Sequence, residues 1–208
     1  MLVEAIGTPT PATVRAAADA LRDGLVVALP TDTVYGIAAL PGVPGATARL
    51  FELKGRAADV PLAVLCADAD QALGLAERRA VGDEVRRIAE RLWPGPLTVV
   101  LPRRPGLGYE LGRPAHTVGV RCPDHPLIRA LAAEVGPIAT TSANHHGEAT
   151  PPTAAGVAAT LGAGLALVLD GGPCPGQPST VVDATGPGWR LLRSGEIALA
   201  AVEAAARP

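Results

Sequence analysis

The sequence predicts a layered α/β fold, and three observations carry that prediction. Short apolar runs alternate along the chain with longer helical stretches, the order that stacks helices against a sheet. Proline and glycine punctuate the helical stretches where helices start and stop. Hydrophobic residues make up 48% of the 208 positions and aromatics only 2%, so the core between the layers must be aliphatic. That length suits one substantial domain. No linker or internal repeat divides it, and a single domain over 1–208 is expected.

Taken in order, Thr10-Pro11 opens a helix that runs to about residue 23 and closes at Gly24. Residues 25–30 (LVVALP) form a continuous apolar run, as in a strand buried on both faces. A helix over 46–53 and a buried strand over 62–66 follow, and Asp68 and Asp70 open a further helix. The helix over 83–93 stops at Pro94-Gly95. Strands are expected over 97–101 and 117–120. Asp124 caps a helix with Pro126 in its first turn, ending at Gly136. Further strands fall at 137–140, 165–169, 180–183 and 190–193, with a helix over 153–161 and a last one from Glu196. Two Pro/Gly-rich segments, 102–114 and 171–178, interrupt the pattern. Loops of that length in a compact domain serve as lids or ligand contacts.

The net charge of −2 argues against a dedicated nucleic-acid binder. The basic runs, Arg86-Arg87 with Arg91 and then Arg103-Arg104, are more simply solvated helix and loop charges. No apolar stretch reaches the ~18 residues needed to cross a bilayer. Met1-Leu2-Val3-Glu4 lacks the basic and apolar regions of a signal peptide. Cys66, Cys122 and Cys174 are odd in number, far apart and without metal-site spacing. They read as reduced thiols, and the expectation is a cytoplasmic protein with no membrane contact.

Of 18 basic residues only Lys54 is a lysine. Where a bias toward arginine fails, a compact ammonium is needed that a planar guanidinium cannot replace, and phosphate is the usual reason. The competing explanation is an exposed cation at a helix C-terminus, whose replacement leaves the fold intact. Three polar clusters each follow an expected strand: Thr31-Asp32-Thr33, Thr140-Thr141-Ser142-Ala143-Asn144, and Ser194-Gly195. Each can be explained by capping, but together with the lysine they suggest a shared site. Such a site is expected at the carboxyl ends of the strands, where open α/β sheets bind ligands. There is no phosphate-binding glycine loop of the Walker type and no Gly-x-Ser-x-Gly elbow. Residues 106–112 miss the dinucleotide fingerprint by one position, and His145-His146 lacks a third ligand nearby.

Seven ordered motifs then resemble those of the YrdC family. They are Pro30-Thr31-Asp32-Thr33-Val34-Tyr35-Gly36-Ile37-Ala38, Lys54-Gly55-Arg56 with Pro61-Leu62, and Trp93-Pro94-Gly95-Pro96-Leu97-Thr98. Gly119-Val120-Arg121-Cys122-Pro123-Asp124-His125-Pro126, Ser142-Ala143-Asn144, Pro178-Ser179-Thr180-Val181-Val182-Asp183, and Arg193 with Gly195-Glu196-Ile197 complete the series. Ala57 stands where the family often has proline, and Val60 where it has a basic residue. The chain resembles the family's short, single-domain branch.

The resemblance implies a twisted, open mixed sheet flanked by helices around a large concave cavity. It implies L-threonylcarbamoyladenylate synthase activity: L-threonine, bicarbonate or CO2, and ATP give threonylcarbamoyl-AMP and pyrophosphate. Magnesium is the expected cofactor, accompanying ATP, with no protein-borne metal ligands. The implied partner is the tRNA-threonylcarbamoyl transferase complex, which modifies adenosine beside the anticodon, with weak direct tRNA binding as a further option. Lys54 and Arg56 are the implied catalytic cations on the triphosphate. Thr117, Ser142, Asn144 and Arg193 are implied as further ATP contacts. Thr33, Arg121, Thr140 and Ser179 are implied for threonine, with Arg121 on the carboxylate. Two alternatives stay open. One is a carbamoyl-adenylate-forming enzyme like the YrdC-like domain of hydrogenase-maturation carbamoyltransferases, which sits in much longer chains. The other is a non-catalytic RNA-binding module, which the shortage of stacking aromatics disfavours.

Overall fold

Proline and glycine set the helix ends where the sequence places them. The computed structural model describes residues 6–7, 10–55, 60–174 and 176–208. Helix α1 (Pro11–Arg22) has Pro11 in its first turn and a capping box between Thr10 and Thr13. Helix α2 (Ala46–Lys54) stops at Gly55, whose φ of +61° suits glycine, so Lys54 is its last residue. Helix α3 (Ala69–Leu73) starts from Asp68, whose carboxylate accepts the Gln71 N–H. Helices α4 (Asp83–Leu92), α5 (Pro126–Val135), α6 (Ala154–Leu161) and α7 (Leu199–Ala206) complete the set among the described residues. The last begins three residues later than Glu196 because Thr180 holds Ile197 outside the helix. Its hydroxyl donates to the Ile197 carbonyl at 2.7 Å and accepts the Ile197 N–H at 3.0 Å.

The strands are β1 (Ile6–Gly7), β2 (Val27–Leu29), β3 (Gly36–Ala39), β4 (Ala63–Leu65), β5 (Leu97–Pro102), β6 (Thr117–Arg121), β7 (Ile138–Ser142), β8 (Leu167–Leu169), β9 (Thr180–Asp183) and β10 (Arg190–Arg193). They form one mixed sheet in the order β1-β8-β2-β3-β7-β4-β6-β5-β9-β10. The pairs β1/β8, β2/β8, β4/β6 and β5/β9 are parallel and the rest antiparallel. Strands β1 and β3 were not expected. The second of them carries Gly-Ile-Ala-Ala and returns antiparallel beside β2, so Thr31, Asp32 and Thr33 lie in a hairpin connection.

Alternation along the strands sorts the core into two faces. Val27 and Leu29 pack with Leu21 of α1 and Leu131 of α5. Val26 and Ala28 turn the other way, into a larger cluster with Leu50 of α2, Ile88 of α4 and Val202 of α7. Toward β6, β5 and β9 the α1/α5 side of the sheet changes character. Its residues become small or polar, and a cavity opens there.

Both proline/glycine segments are tied down. Arg103 donates to the carbonyls of Leu107, Tyr109 and Ala115, so residues 102–114 wrap around their own guanidinium. The described residues of the 171–178 segment are held by bonds to other parts of the chain. The Tyr35 hydroxyl donates to the Gly172 carbonyl at 2.8 Å, and the Cys174 N–H donates to Pro152 at 2.8 Å. Gly176 is required there, because a Cβ would fall 2.6 Å from the Thr33 carbonyl oxygen. Burial pushes the Tyr35 phenol up to about 12, so it stays a donor. The other basic run is also structural. Arg87 donates to the Ala206 carbonyl, and Arg91 to those of Ala205 and Arg207, at the C-terminal end of α7. No helix among the described residues is long and apolar enough to cross a membrane.

Candidate active site

The cavity measures about 400 Å³, within the range of small-molecule sites. Its floor follows the two-residue repeat of the strands: Thr98 and Val100 from β5; Thr117, Gly119 and Arg121 from β6; Thr140 and Ser142 from β7. Ala63 on β4 pairs with both Gly119 and Thr140, so three adjacent positions carry little bulk and leave room for a ligand. The site therefore lies on the face of the sheet, not outside the carboxyl ends of its strands as expected. The reason is visible in β7, which extends through Ser142 and turns the Thr140–Ser142 cluster into strand residues instead of a loop.

Arg121 organises one part of the cavity. It is 5% exposed and bound from three directions. Nε donates to the Gly95 carbonyl at 3.0 Å, Nη1 to Thr33 Oγ1 at 3.1 Å, and Nη2 to Asp32 Oδ1 at 2.6 Å. A guanidinium has five N–H groups, so two are left for a ligand. Asp32 Oδ2 accepts the Asp124 N–H at 3.1 Å. The neighbouring hydroxyls have a defined direction. Thr31 Oγ1 donates to the Val34 carbonyl at 2.6 Å and accepts the Thr33 N–H. The Thr33 hydroxyl, 3.0 Å away, therefore gives its proton to Thr31 and accepts from Arg121. Thr140 likewise donates to the Ile37 carbonyl. Toward the cavity, Arg121 offers donors and Thr33 and Thr140 offer acceptors.

Lys54 is buried, at 4% exposure, which corrects the picture of an exposed helix-end cation. Its ammonium donates to Ser142 O (2.8 Å), Ser142 Oγ (3.0 Å), Asn144 O (3.1 Å) and Asn144 Oδ1 (2.8 Å). Asn144 Nδ2 donates to the carbonyls of His145 and Glu148, holding the following turn. Lys54 and Asn144 thus sit behind Ser142, and of the three only Ser142 lines the cavity.

Ser179 forms the third group. Its Oγ accepts from Arg193 Nη2 at 2.9 Å and lies 2.9 Å from Thr98 Oγ1, while Arg193 Nε donates to the Ser179 carbonyl. Gly195 packs on this junction. A Cβ there would fall 2.3 Å from the Pro178 oxygen and 2.4 Å from the Thr180 nitrogen. Gly195→Ala is expected to force the junction apart, costing about 1–3 kcal/mol and lowering Tm by roughly 2–10 °C. Thermal unfolding of the variant checks this.

Seven of the ten sequence-predicted residues line the one cavity: Thr33, Thr117, Arg121, Thr140, Ser142, Ser179 and Arg193. Lys54 and Asn144 stand behind it, and Arg56 lies outside the described residues, as does Ala57. Ser194 and Gly195 are not in the lining, although Arg193 just before them is. Thr98 and Gly119 were missed as site residues, and Asp32, part of the Thr31-Asp32-Thr33 cluster, was given no role of its own. The period-two pattern of small and polar residues in β5 and β6 was the available signal. Val60 and Leu192 add an apolar rim and are exposed. All three cysteines are buried thiols, each pushed up by burial, which makes them poor nucleophiles. Among the described residues, no group of three or more His, Cys, Asp or Glu is placed to hold a metal.

A mixed sheet with a face-on cavity, one guanidinium with open donors and a buried ammonium beside it define a protein built for a small anionic or zwitterionic ligand. The family model Sua5_yciO_yrdC, described as telomere recombination, matches residues 19–195. The chain belongs to the Sua5/YciO/YrdC family. A Mycobacterium tuberculosis (H37Rv) relative is 40% identical over 182 residues, covering 87% of this chain and 83% of its own. The threonylcarbamoyl-AMP synthase of Bacillus subtilis is 39% identical over 210 residues, all of this chain and 60% of its own. The crystal structure of P. abyssi Sua5 complexed with L-threonine matches with a TM-score of 0.85 at 38% identity, over 92% of this chain and 56% of that one. The chain thus spans little more than half the length of the last two.

Proposed function

We propose that the chain is an L-threonylcarbamoyladenylate synthase. The observation that carries this reading is the complementarity of the cavity to an amino acid: two open Arg121 donors for a carboxylate, with Thr33 and Thr140 as acceptors for an amine and a hydroxyl. The threonine complex of the P. abyssi relative and the name of the Bacillus subtilis relative support it.

The threonine amine takes up CO2 as a carbamate. A carbamate oxygen then attacks the α-phosphorus of ATP, and pyrophosphate leaves. Arg121 holds the carboxylate, and Ser179, fixed by Arg193 and Thr98, lies in the same cavity. Ser142, backed by Lys54 and Asn144, faces the triphosphate, where Lys54 and Arg56 offset the charge growing on the leaving oxygens. Thr117 and Arg193 contact the nucleotide, with Val60 and Leu192 beside them as an apolar wall. Magnesium would enter with ATP as part of the substrate and help to offset the charge on the triphosphate. No covalent intermediate is needed; positioning and electrostatics do the catalysis. The product is consumed by a tRNA-threonylcarbamoyl transferase complex in the cytoplasm. Direct tRNA binding draws little support from Arg87, Arg91, Arg103 and Arg104, which all donate to backbone carbonyls.

Carbon-labelled bicarbonate tests this. With ATP and threonine, the label is expected in an adenylate that also carries threonine. Label in an adenylate formed when ammonia replaces threonine as the amine that captures CO2 would favour the carbamoyl-adenylate alternative.

A further inference from the structure

We infer that Asp32 is a positioning residue of the amino-acid subsite, acting on substrate only through Arg121. The inference rests on the reading of Arg121 as the carboxylate ligand. Asp32 does not line the cavity. Its side chain is 12% exposed and that of Arg121 6%, so the pair is buried together at 2.6 Å. Of the three groups that hold the guanidinium, the Gly95 carbonyl and the Thr33 hydroxyl are neutral, and Asp32 alone carries charge. The carboxylate is itself anchored: Oδ2 accepts the Asp124 N–H two residues before α5.

Two consequences follow for the ligand. First, the plane of the guanidinium is set before substrate arrives, because three bonds, one to Gly95 and two to the Asp32–Thr33 turn, leave no freedom to swing. The two remaining N–H groups then keep a constant direction, as bidentate recognition of a carboxylate requires. Second, the buried charge is already balanced. A bare guanidinium in this wall would attract any small anion, whereas the Arg121–Asp32 pair is neutral overall and suits a zwitterionic amino acid. The Arg121–Thr33–Thr31 chain depends on the same anchor. If Arg121 shifts, Thr33 loses the donor that orders its hydroxyl.

The test is steady-state titration of threonine and of ATP with the wild type, Asp32→Asn, Asp32→Glu, Arg121→Lys and the double variant Asp32→Asn/Arg121→Lys, with Tm measured for each. Asp32→Glu keeps the charge and guards against an Asp32→Asn variant that fails to fold. Both Asp32 variants are expected to raise the threonine KM about tenfold or more, the loss expected when one charge-assisted contact is misaligned. The ATP KM should stay within about twofold. Once Arg121 is already lysine, adding Asp32→Asn should change the threonine KM by no more than about twofold, since residues acting through one another are not additive. A threonine KM unchanged in both Asp32 variants, or effects that simply add, would overturn the inference and leave the functional reading standing. No threonine response in the wild type would overturn both.

Discussion

Lys54→Arg is expected to lose pyrophosphate release by roughly a hundredfold or more, the cost typical of one misplaced charge-stabilising group, although the positive charge is kept. The ammonium sits among four oxygens within 3.1 Å, and a point charge with three donors fits that cage. A planar guanidinium is larger and cannot converge on the same centre. Overpacking of this kind costs about 1–3 kcal/mol, so Tm should also fall by roughly 2–10 °C. That expectation differs from the one drawn for an exposed helix-end cation, whose loss the fold would hardly register. Lys54→Met keeps the stem and removes the ammonium donors to Ser142 and Asn144, whose Oδ1 then keeps only the Thr150 hydroxyl. It should be at least as inactive. Near-normal turnover by Lys54→Arg would show that the scarcity of lysine in this chain has no bearing on catalysis.

Arg121→Ala is expected to raise the threonine requirement far more than the ATP requirement. Losing a charge-assisted partner costs a carboxylate ~1.5–3 kcal/mol, or roughly ten- to a hundredfold in affinity. The variant also strands Asp32 as a buried, unpaired charge, an effect of about 3–5 kcal/mol on stability. Titration of each substrate, on protein shown to be folded at the assay temperature, decides the matter. A larger shift for ATP would reassign Arg121 to the nucleotide.

Much of this architecture is legible in the sequence, for identifiable reasons. Helix ends follow from Pro11, Gly24, Pro126 and Gly136, because proline and glycine act locally. The strands at Val27–Leu29, Leu97–Pro102 and Leu167–Leu169 announce themselves as apolar runs. Strand β3 does not. Gly-Ile-Ala-Ala has little strand propensity of its own and is held by pairing with β2 on one side and β7 on the other. The burial of Lys54 was equally hidden, since it depends on a turn 88 to 90 residues away in the sequence. Motif order brought seven of the ten site residues to one cavity, but not the side of the sheet on which it opens. That is decided by register: Gly36 opposite Ser142 and Ala63 opposite Gly119 set which residues look into the hollow. The Thr31-Asp32-Thr33 cluster points to the site, but the role of Asp32 within it is hidden, because a carboxylate in such a turn also reads as a cap. Its partner lies 89 positions away.

The proposed reaction joins bicarbonate, threonine and ATP. The most direct measurement is pyrophosphate formed per minute with ATP and bicarbonate and one amino acid at a time, at equal concentration. The carbamate step needs only an amine, so selectivity must come from the hydroxyl and methyl of threonine. Acceptors such as Thr33 and Thr140 are left unpaired by an amino acid without the hydroxyl, which is a larger penalty than one missing methyl group at ~1 kcal/mol. Threonine is therefore predicted to give the fastest release, serine less and valine near background, with release falling away when bicarbonate is removed. Pyrophosphate release that is indifferent to the amino acid or to bicarbonate would show that the chain does not catalyse this reaction.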